Sequence, residues 1–223
     1  YDVNLKEARL ARLTAHENFS FVRGDIADLD TVMAASKGVD RIIHLAAQAG
    51  VRYSMENPGA YIQANIVGHM NILEAARGLG DGLRHMVYAS SSSVYGGNTK
   101  APFAEGDPVA HPISPYAASK RAMELMAHAD QRIHGGHVTL LRLFTVYGPR
   151  QRPEMAFHKF MRLIHSGEAV PMFGDGSTGR DYTFIDDAVA GILAAAQHPD
   201  GYRIYNIGGD RVVRLNEAIT AIG

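Results

Sequence analysis

Apolar runs of strand length alternate with amphipathic stretches of helix length along this chain, and few folds accept that order. Residues 39–46 (VDRIIHLA), 83–89 (LRHMVYA) and 138–144 (VTLLRLF) read as strands. Helical patterns separate them, at 28–36, at 58–77 with Pro58 at its start, and at 116–134. Ahead of these, 3–15 reads as an amphipathic helix, and 18–23 (NFSFVR) alternates as a strand closed by Gly24-Asp25. Alternation at this spacing implies βαβ units and a doubly wound parallel sheet. Residues 47–58 and most of 90–114 read as loop.

After Pro149 the texture changes. A helix is expected at 154–166, and short strands at 169–173 and 182–185 around the turn Gly174-Asp175-Gly176. A helix at 186–197, a strand at 202–207 and a helix at 215–222 follow. This predicts two domains, a nucleotide-binding domain over 1–150 and a smaller substrate-binding lobe over 151–223. In open parallel sheets ligands bind beyond the carboxyl ends of the strands. Gly24-Asp25, Ala46-Ala47-Gln48, Ser90 to Ser93 and Thr145 to Pro149 fall at such ends.

Composition removes several alternatives. With 223 residues and 46% hydrophobic content the chain is long enough for one sizeable core or two small ones. A net charge of -1 with few aromatic residues suggests neither a nucleic-acid surface nor a polybasic membrane patch. No apolar run approaches membrane-spanning length. The chain has no cysteine, which excludes disulfides and thiolate chemistry and fits a reducing, cytoplasmic setting. Its 11 histidines show no metal-ligand spacing, so no metal site is expected.

Chemistry concentrates in Ser114-Pro115-Tyr116-Ala117-Ala118-Ser119-Lys120. Four residues apart on a helix, Tyr116 and Lys120 share a face. A phenol titrates near ~10. A neighbouring ammonium favours the phenolate, and a phenol so tuned takes a proton from an alcohol near neutral pH. Ser90 to Ser93 follow a strand about 25 residues upstream, either as a solvated loop or as hydroxyls that bond substrate and tyrosine together. Gly-x-Ser-x-Gly is absent, so no serine-hydrolase elbow is marked. Asp25 is either a turn-capping carboxylate or an acceptor for an adenine amino group. Asn65 either bridges backbone groups or faces solvent. Arg52, Arg152 and Arg180 suit a diphosphate or carboxylate, or simply the surface. His44, in an apolar strand, reads as a satisfied core residue.

These motifs together resemble the extended short-chain dehydrogenase/reductase superfamily, in its branch of NAD-dependent nucleotide-sugar epimerases and dehydratases. The resemblance rests on Gly24-Asp25-Ile26, HLAAQAGVRYS (44–54), NIVGHMNILEAAR (65–77), YASSSSVYGG (88–97), SPYAASK (114–120), LRLFTVYGPR (141–150) and GRDYTFIDD (179–187). It implies a Rossmann-type domain with NAD as cofactor and a UDP-sugar as substrate. It further implies a homodimer built through the helices at 58–77 and 115–134. Asp25 and Ile26 would hold adenine; Leu45, Ala46 and Ala47 would line the NAD, with Asn65 supporting that wall. Tyr116 would be the base for the sugar 4-hydroxyl, Lys120 would bind the nicotinamide ribose, and Ser91 would bridge substrate and tyrosine. Phe144 would meet the cofactor through its backbone and Arg180 would grip the diphosphate. Arg52, Ser92, Ser93, Thr145 and Arg152 would surround the sugar. The family's glycine-rich phosphate loop would lie ahead of Tyr1. As written the chain is therefore expected to hold NAD poorly, and the enzyme to extend in both directions.

The implied reaction is 4-epimerisation through a 4-keto sugar and transient NADH, most closely on a UDP-glucuronate. Related decarboxylases carry Ser-Glu, and dehydratases Asp-Glu, where this chain has Ser92 and Ser93, so no carboxylic acid stands there to assist elimination. A UDP-glucose/UDP-galactose 4-epimerase, a UDP-uronate decarboxylase and a non-catalytic NAD-binding scaffold are the competing readings.

Overall fold

The computed structural model describes residues 2–172 and 174–222. In chain order the elements are helices α1 (Val3–Thr14) and α2 (Leu29–Ala35), strand β1 (Arg41–His44), helices α3 (Val51–Glu56) and α4 (Pro58–Tyr61), a π-helical turn (Ile62–Val67) and helix α5 (Gly68–Leu79). Strand β2 (His85–Ser91), a 3-10 turn (Ser92–Tyr95), helix α6 (Pro115–His134) and strands β3 (Val138–Leu143) and β4 (Thr145–Tyr147) follow. Helix α7 (Ala156–His165), strand β5 (Gly179–Phe184), helix α8 (Ile185–Gln197), strands β6 (Tyr202–Ile207) and β7 (Val212–Arg214) and helix α9 (Leu215–Ile222) complete it.

Two compact units result, and neither is a continuous segment. One comprises residues 23–144 and 189–207; the other comprises residues up to 22, 145–188, and 208 onward. The expected division near residue 150 therefore assigns the segments up to 22, 145–150 and 189–207 differently from the structure. Strand β6 pairs with β3 from Val138↔Tyr202 to Leu143↔Ile207, and that six-residue ladder returns the segment to the main sheet.

The larger unit is built on a parallel sheet of order β1-β2-β3-β6. Strand β2 is buried at all seven positions, as a central strand covered on both faces must be. On one face Val32, Ile72, Leu73, Met123 and Ala127 of the helices pack onto Met86, Tyr88, Val138 and Leu140. On the other, Ala195 and Ala196 of α8 cover Val87 and Leu141. Each Val, Leu, Ile or Met side chain among these contributes about 1.5–3 kcal/mol on full burial, and each Ala less. Helix α6 starts where Ser114 accepts a bond from the Ala117 amide, with Pro115 at its first position. It stops at Gly135, whose φ of 78° lies in the left-handed region.

The smaller unit holds β4 parallel to β5, and β5 antiparallel to β7. A cluster of aromatic rings joins half-buried Tyr147, Phe157 and Tyr182 with exposed Phe184, the Phe157 and Tyr182 ring centres 4.6 Å apart.

Several sequence expectations are corrected. Residues 18–23 form no strand: among the described residues no strand pairs with them, and Phe21 and Val22 stay exposed. Residues 47–58 include helix α3, so Arg52 is helical. The helix expected over 58–77 is interrupted by the π-turn. Residues 169–172 are not a strand, and Phe173 lies outside the described residues. Strands β4 and β7, each three residues long, carry no pattern of their own.

Candidate active site

Three consecutive residues of β2 are bonded to α6. The Tyr88 hydroxyl reaches the Met123 carbonyl at 3.4 Å, the Ala89 carbonyl accepts from Lys120 Nζ at 2.8 Å, and Ser90 Oγ donates to Glu124 Oε1 at 2.6 Å. Ser91 comes next. Its hydroxyl caps the 3-10 turn, accepting from the Ser93 amide at 3.2 Å and lying 2.9 Å from Ser93 Oγ. Ser92 and Ser93 are half-buried. The turn ends at Gly96 with φ 59°, where a Cβ would lie 2.3 Å from the His111 carbonyl oxygen. Only glycine lets the two backbone segments meet there.

Tyr116 is half-buried in the first turn of α6, its ring edge-on to Tyr61 at 6.1 Å. Lys120 is buried, and burial lowers its pKa to about 8, because an ammonium out of water is disfavoured. It therefore remains mostly charged at neutral pH. An ammonium has three donors, and the bond to Ala89 uses one, leaving donors for ligand hydroxyls.

Asn65 is fully buried in the π-turn and bridges backbone rather than facing solvent. Its Oδ1 accepts from the Gln48 amide at 2.7 Å, and its Nδ2 donates to the Gln48 carbonyl and to Ser119 Oγ. Ser119 in turn donates to the Tyr116 carbonyl at 2.8 Å. The Tyr61 hydroxyl, one turn before Asn65, reaches the Ala49 and Gly50 carbonyls. The strand-end loop and the Tyr116 helix are thereby held by one set of bonds.

Leu45 and Ala46 are exposed just past buried His44, and Ala47 is half-buried, leaving a small apolar wall at the end of β1. Asp25 is exposed, with Oδ1 accepting from the Ala27 amide. Ile26 packs into the core, and its carbonyl accepts from Asn71. The Phe144 amide donates to the Ile207 carbonyl at 3.0 Å. In the smaller unit Thr145 is half-buried on β4, Arg180 is exposed on β5, and Arg152 pairs with Glu154 at 3.3 Å.

His44 departs from expectation. It is buried, but its Nε2 has no hydrogen-bond partner among the described residues. Its ring stacks 5.5 Å from that of His69, which in turn packs on Tyr88 at 4.8 Å. Burial lowers His44 to about 4 and His69 to about 3, with Lys120 acting in the same direction on both. Both rings are neutral at physiological pH.

Reasoning from sequence also missed Glu124 and Arg142. Glu124 accepts Arg142 Nε at 3.0 Å and Nη2 at 2.9 Å, besides Ser90 and Arg121. Burial pushes its pKa up, but the bonds from Arg142 and Ser90 prevail and hold it low. A lone Arg in the apolar run VTLLRL, and a Glu one turn beyond Lys120, were the available signals. Among the described residues no cluster suited to a metal occurs, and no helix is long and apolar enough to cross a membrane.

Residues 3–208 match the family model described as NAD dependent epimerase/dehydratase family. A probable UDP-glucuronate 4-epimerase of Rhizobium meliloti is 42% identical over 236 residues, covering 96% of this chain and 69% of the relative. The UDP-glucuronate 4-epimerase of Thermodesulfobacterium geofontis is 40% identical, covering 98% and 68%. Among solved structures, UDP-glucuronic acid 4-epimerase from Bacillus cereus, in complex with UDP-glucuronic acid and NAD, superposes with a TM-score of 0.91 at 33% identity, covering 98% and 69%. The chain spans between 54% and 72% of the length of these and other curated relatives.

Proposed function

The chain belongs to the NAD dependent epimerase/dehydratase family, and on that premise we propose that it interconverts UDP-glucuronate and UDP-galacturonate at C4, with NAD as resident cofactor. The observation that carries this reading is the end of β2. There Ser91, Ser92 and Ser93 offer hydroxyls, and Ser91 and Ser93 bond to each other.

The residues present fit the dinucleotide. Asp25 keeps one carboxylate oxygen clear of the Ala27 amide for an adenine amino group. Leu45 and Ala46 offer an exposed apolar wall, and Lys120 has donors left for ribose hydroxyls. Bound NAD would supply the redox chemistry, accepting hydride from C4 of the sugar and giving it back to the opposite face. Tyr116 takes the proton from the 4-hydroxyl and returns it to the same oxygen when the ketone is reduced, and the Lys120 ammonium favours its phenolate. Ser91 holds the sugar oxygen and the phenol in line. Neutral Ser92 and Ser93 donate to the substrate carboxylate and keep it in the plane of the ring, which disfavours loss of carbon dioxide from a β-keto acid. Arg180 and Arg152 answer the charge of the diphosphate and the uronate, with Arg52 and Thr145 about the sugar.

Incubating full-length protein with NAD and UDP-glucuronate is expected to yield UDP-galacturonate. Accumulation of a UDP-pentose or carbon dioxide would overturn the reading. Tyr116→Phe is expected to lower turnover about 10²–10⁴-fold. A homodimer through α5 and α6 belongs to the same proposal, supported by exposed Met70 on α5 and exposed Leu125 and Ile133 on α6. A monomer mass by light scattering would sink that part. A cytoplasmic setting fits a chain with no disulfide to form.

A further inference from the structure

The hydroxyl-bearing segment 91–94 is pinned at both ends by one guanidinium–carboxylate pair. Before it, Ser90 Oγ donates to Glu124 Oε1. After it, the Tyr95 hydroxyl accepts from Arg142 Nη1 at 3.1 Å. Arg142 Nε and Nη2 fork onto Glu124, closing the bracket.

The bracket reaches further. Arg142 Nη1 also donates to the Glu105 carbonyl at 3.0 Å. Tyr95 donates to Asn206 Oδ1 at 2.7 Å, and Asn206 donates its amide to Glu105 Oε1 and its Nδ2 to the Phe103 carbonyl. One buried cation thus ties β2, the turn after it, α6, the 103–105 loop and β6. Both partners are inside the protein, Glu124 at 0% and Arg142 at 1% exposure.

Such a pair is a poor way to gain stability. Two desolvated ions cost several kcal/mol each, and well-packed apolar residues of similar volume do as well or better. What a forked pair supplies is direction: donors in a fixed plane, four of them bonded here, restrict the arrangement of the groups around them. Lys120, one turn before Glu124 on the same face of α6, shares the helix that the pair locks to β2.

We infer that Glu124 and Arg142 are positioning residues for the reaction: they set the distance between the Ser91 hydroxyl on β2 and the Tyr116–Lys120 face of α6. This rests on the proposed epimerase activity.

The test separates position from stability. In NAD-loaded, full-length protein, Glu124→Leu and Arg142→Met are made singly and together. Each single change is expected to destabilise strongly. The double variant is expected to regain the parental Tm while kcat stays at least tenfold down and KM within twofold. Hydrogen exchange at the Ser93 and Gly96 amides, which bond within the segment, is expected to speed up in the double variant. Parental kcat and parental exchange in the double variant would overturn the inference. Should the double variant not fold, Ser90→Ala and Tyr95→Phe each remove one end of the bracket without stranding a charge. Each is expected to lower kcat about three- to tenfold and to speed the same exchange; no change in either measurement in both variants also overturns it. If the parent protein turns over no UDP-glucuronate, the proposed function fails, and amide exchange alone decides the positioning inference.

Discussion

Two buried polar clusters in the larger unit meet burial in opposite ways. Glu124 and Arg142 keep their charges, because Glu124 accepts four hydrogen bonds and Arg142 makes four, two of them to each other. His44 and His69 lie equally deep, yet His44 Nε2 and both ring nitrogens of His69 have no hydrogen-bond partner among the described residues. Burial, joined by Lys120, makes them neutral instead. The desolvation cost is the same in kind for both clusters. A group that finds an ion of opposite sign stays charged, and a group that meets rings and another cation gives up its proton.

The contrast can be broken first at Arg142. Arg142→Met leaves the Glu124 carboxylate buried with its main partner gone, and is expected to cost about 3–5 kcal/mol in chemical denaturation. A loss below about 1 kcal/mol would mean that water already reaches the pair.

The histidines should show themselves through pH. Unfolded, each binds a proton near 6.5; folded, only near 4 or 3. Between those values the unfolded chain holds more protons. Their contribution to stability is therefore full above pH 6.5 and is lost as pH falls toward 4. The expected slope is about 1.4 kcal/mol per pH unit for each ring. His69→Leu should remove roughly half of it. An unchanged slope in urea titrations from pH 6.5 to 4.5 would show that the rings charge without unfolding.

Lys120 gives a smaller effect at the alkaline end. Its proton leaves near 8 when folded and near 10.5 when unfolded, so the unfolded chain again holds more protons between these values. Stability should rise with pH across that window, and Lys120→Met should abolish the rise. A parallel curve for the variant would count against burial of the ammonium.

Smallest is Ser90→Ala. Glu124 keeps three other bonds, so the expected loss is about 1 kcal/mol, read as a shift of the urea midpoint at constant slope.

How far the sequence reveals this molecule follows from the range of the interactions involved. Strands β2 and β3 are legible because their residues are buried on both faces and so must be apolar in succession. Tyr116 and Lys120 are legible because the helix itself sets their spacing. Segment 18–23 has the right alternation, but alternation only permits a strand, and pairing makes one. The placement of 202–207 in the main sheet depends on β3, some sixty residues earlier. Asn65 could not be decided from its neighbours, since its partners are Gln48 and Ser119. The same holds for Arg142, whose position in an apolar run makes sense only once Glu124 is seen opposite.

The π-turn at Ile62–Val67 sets a limit on the length of the chain. It accommodates more residues than an α-helical path would, and so sets the angle between the helix before it and the helix after it. Because the turn already absorbs its extra residue, deleting one there would restore the α-helical count with Pro58–Tyr61 and α5 keeping nearly their present faces. Inserting one more, in α-helical geometry, would swing Pro58–Tyr61 by about 100° relative to α5, and Tyr61 would leave the Ala49 and Gly50 carbonyls. Substitutions on the exposed side, at Ile62 or Gln63, leave that geometry intact. In this segment the molecule tolerates spelling changes but not an added letter.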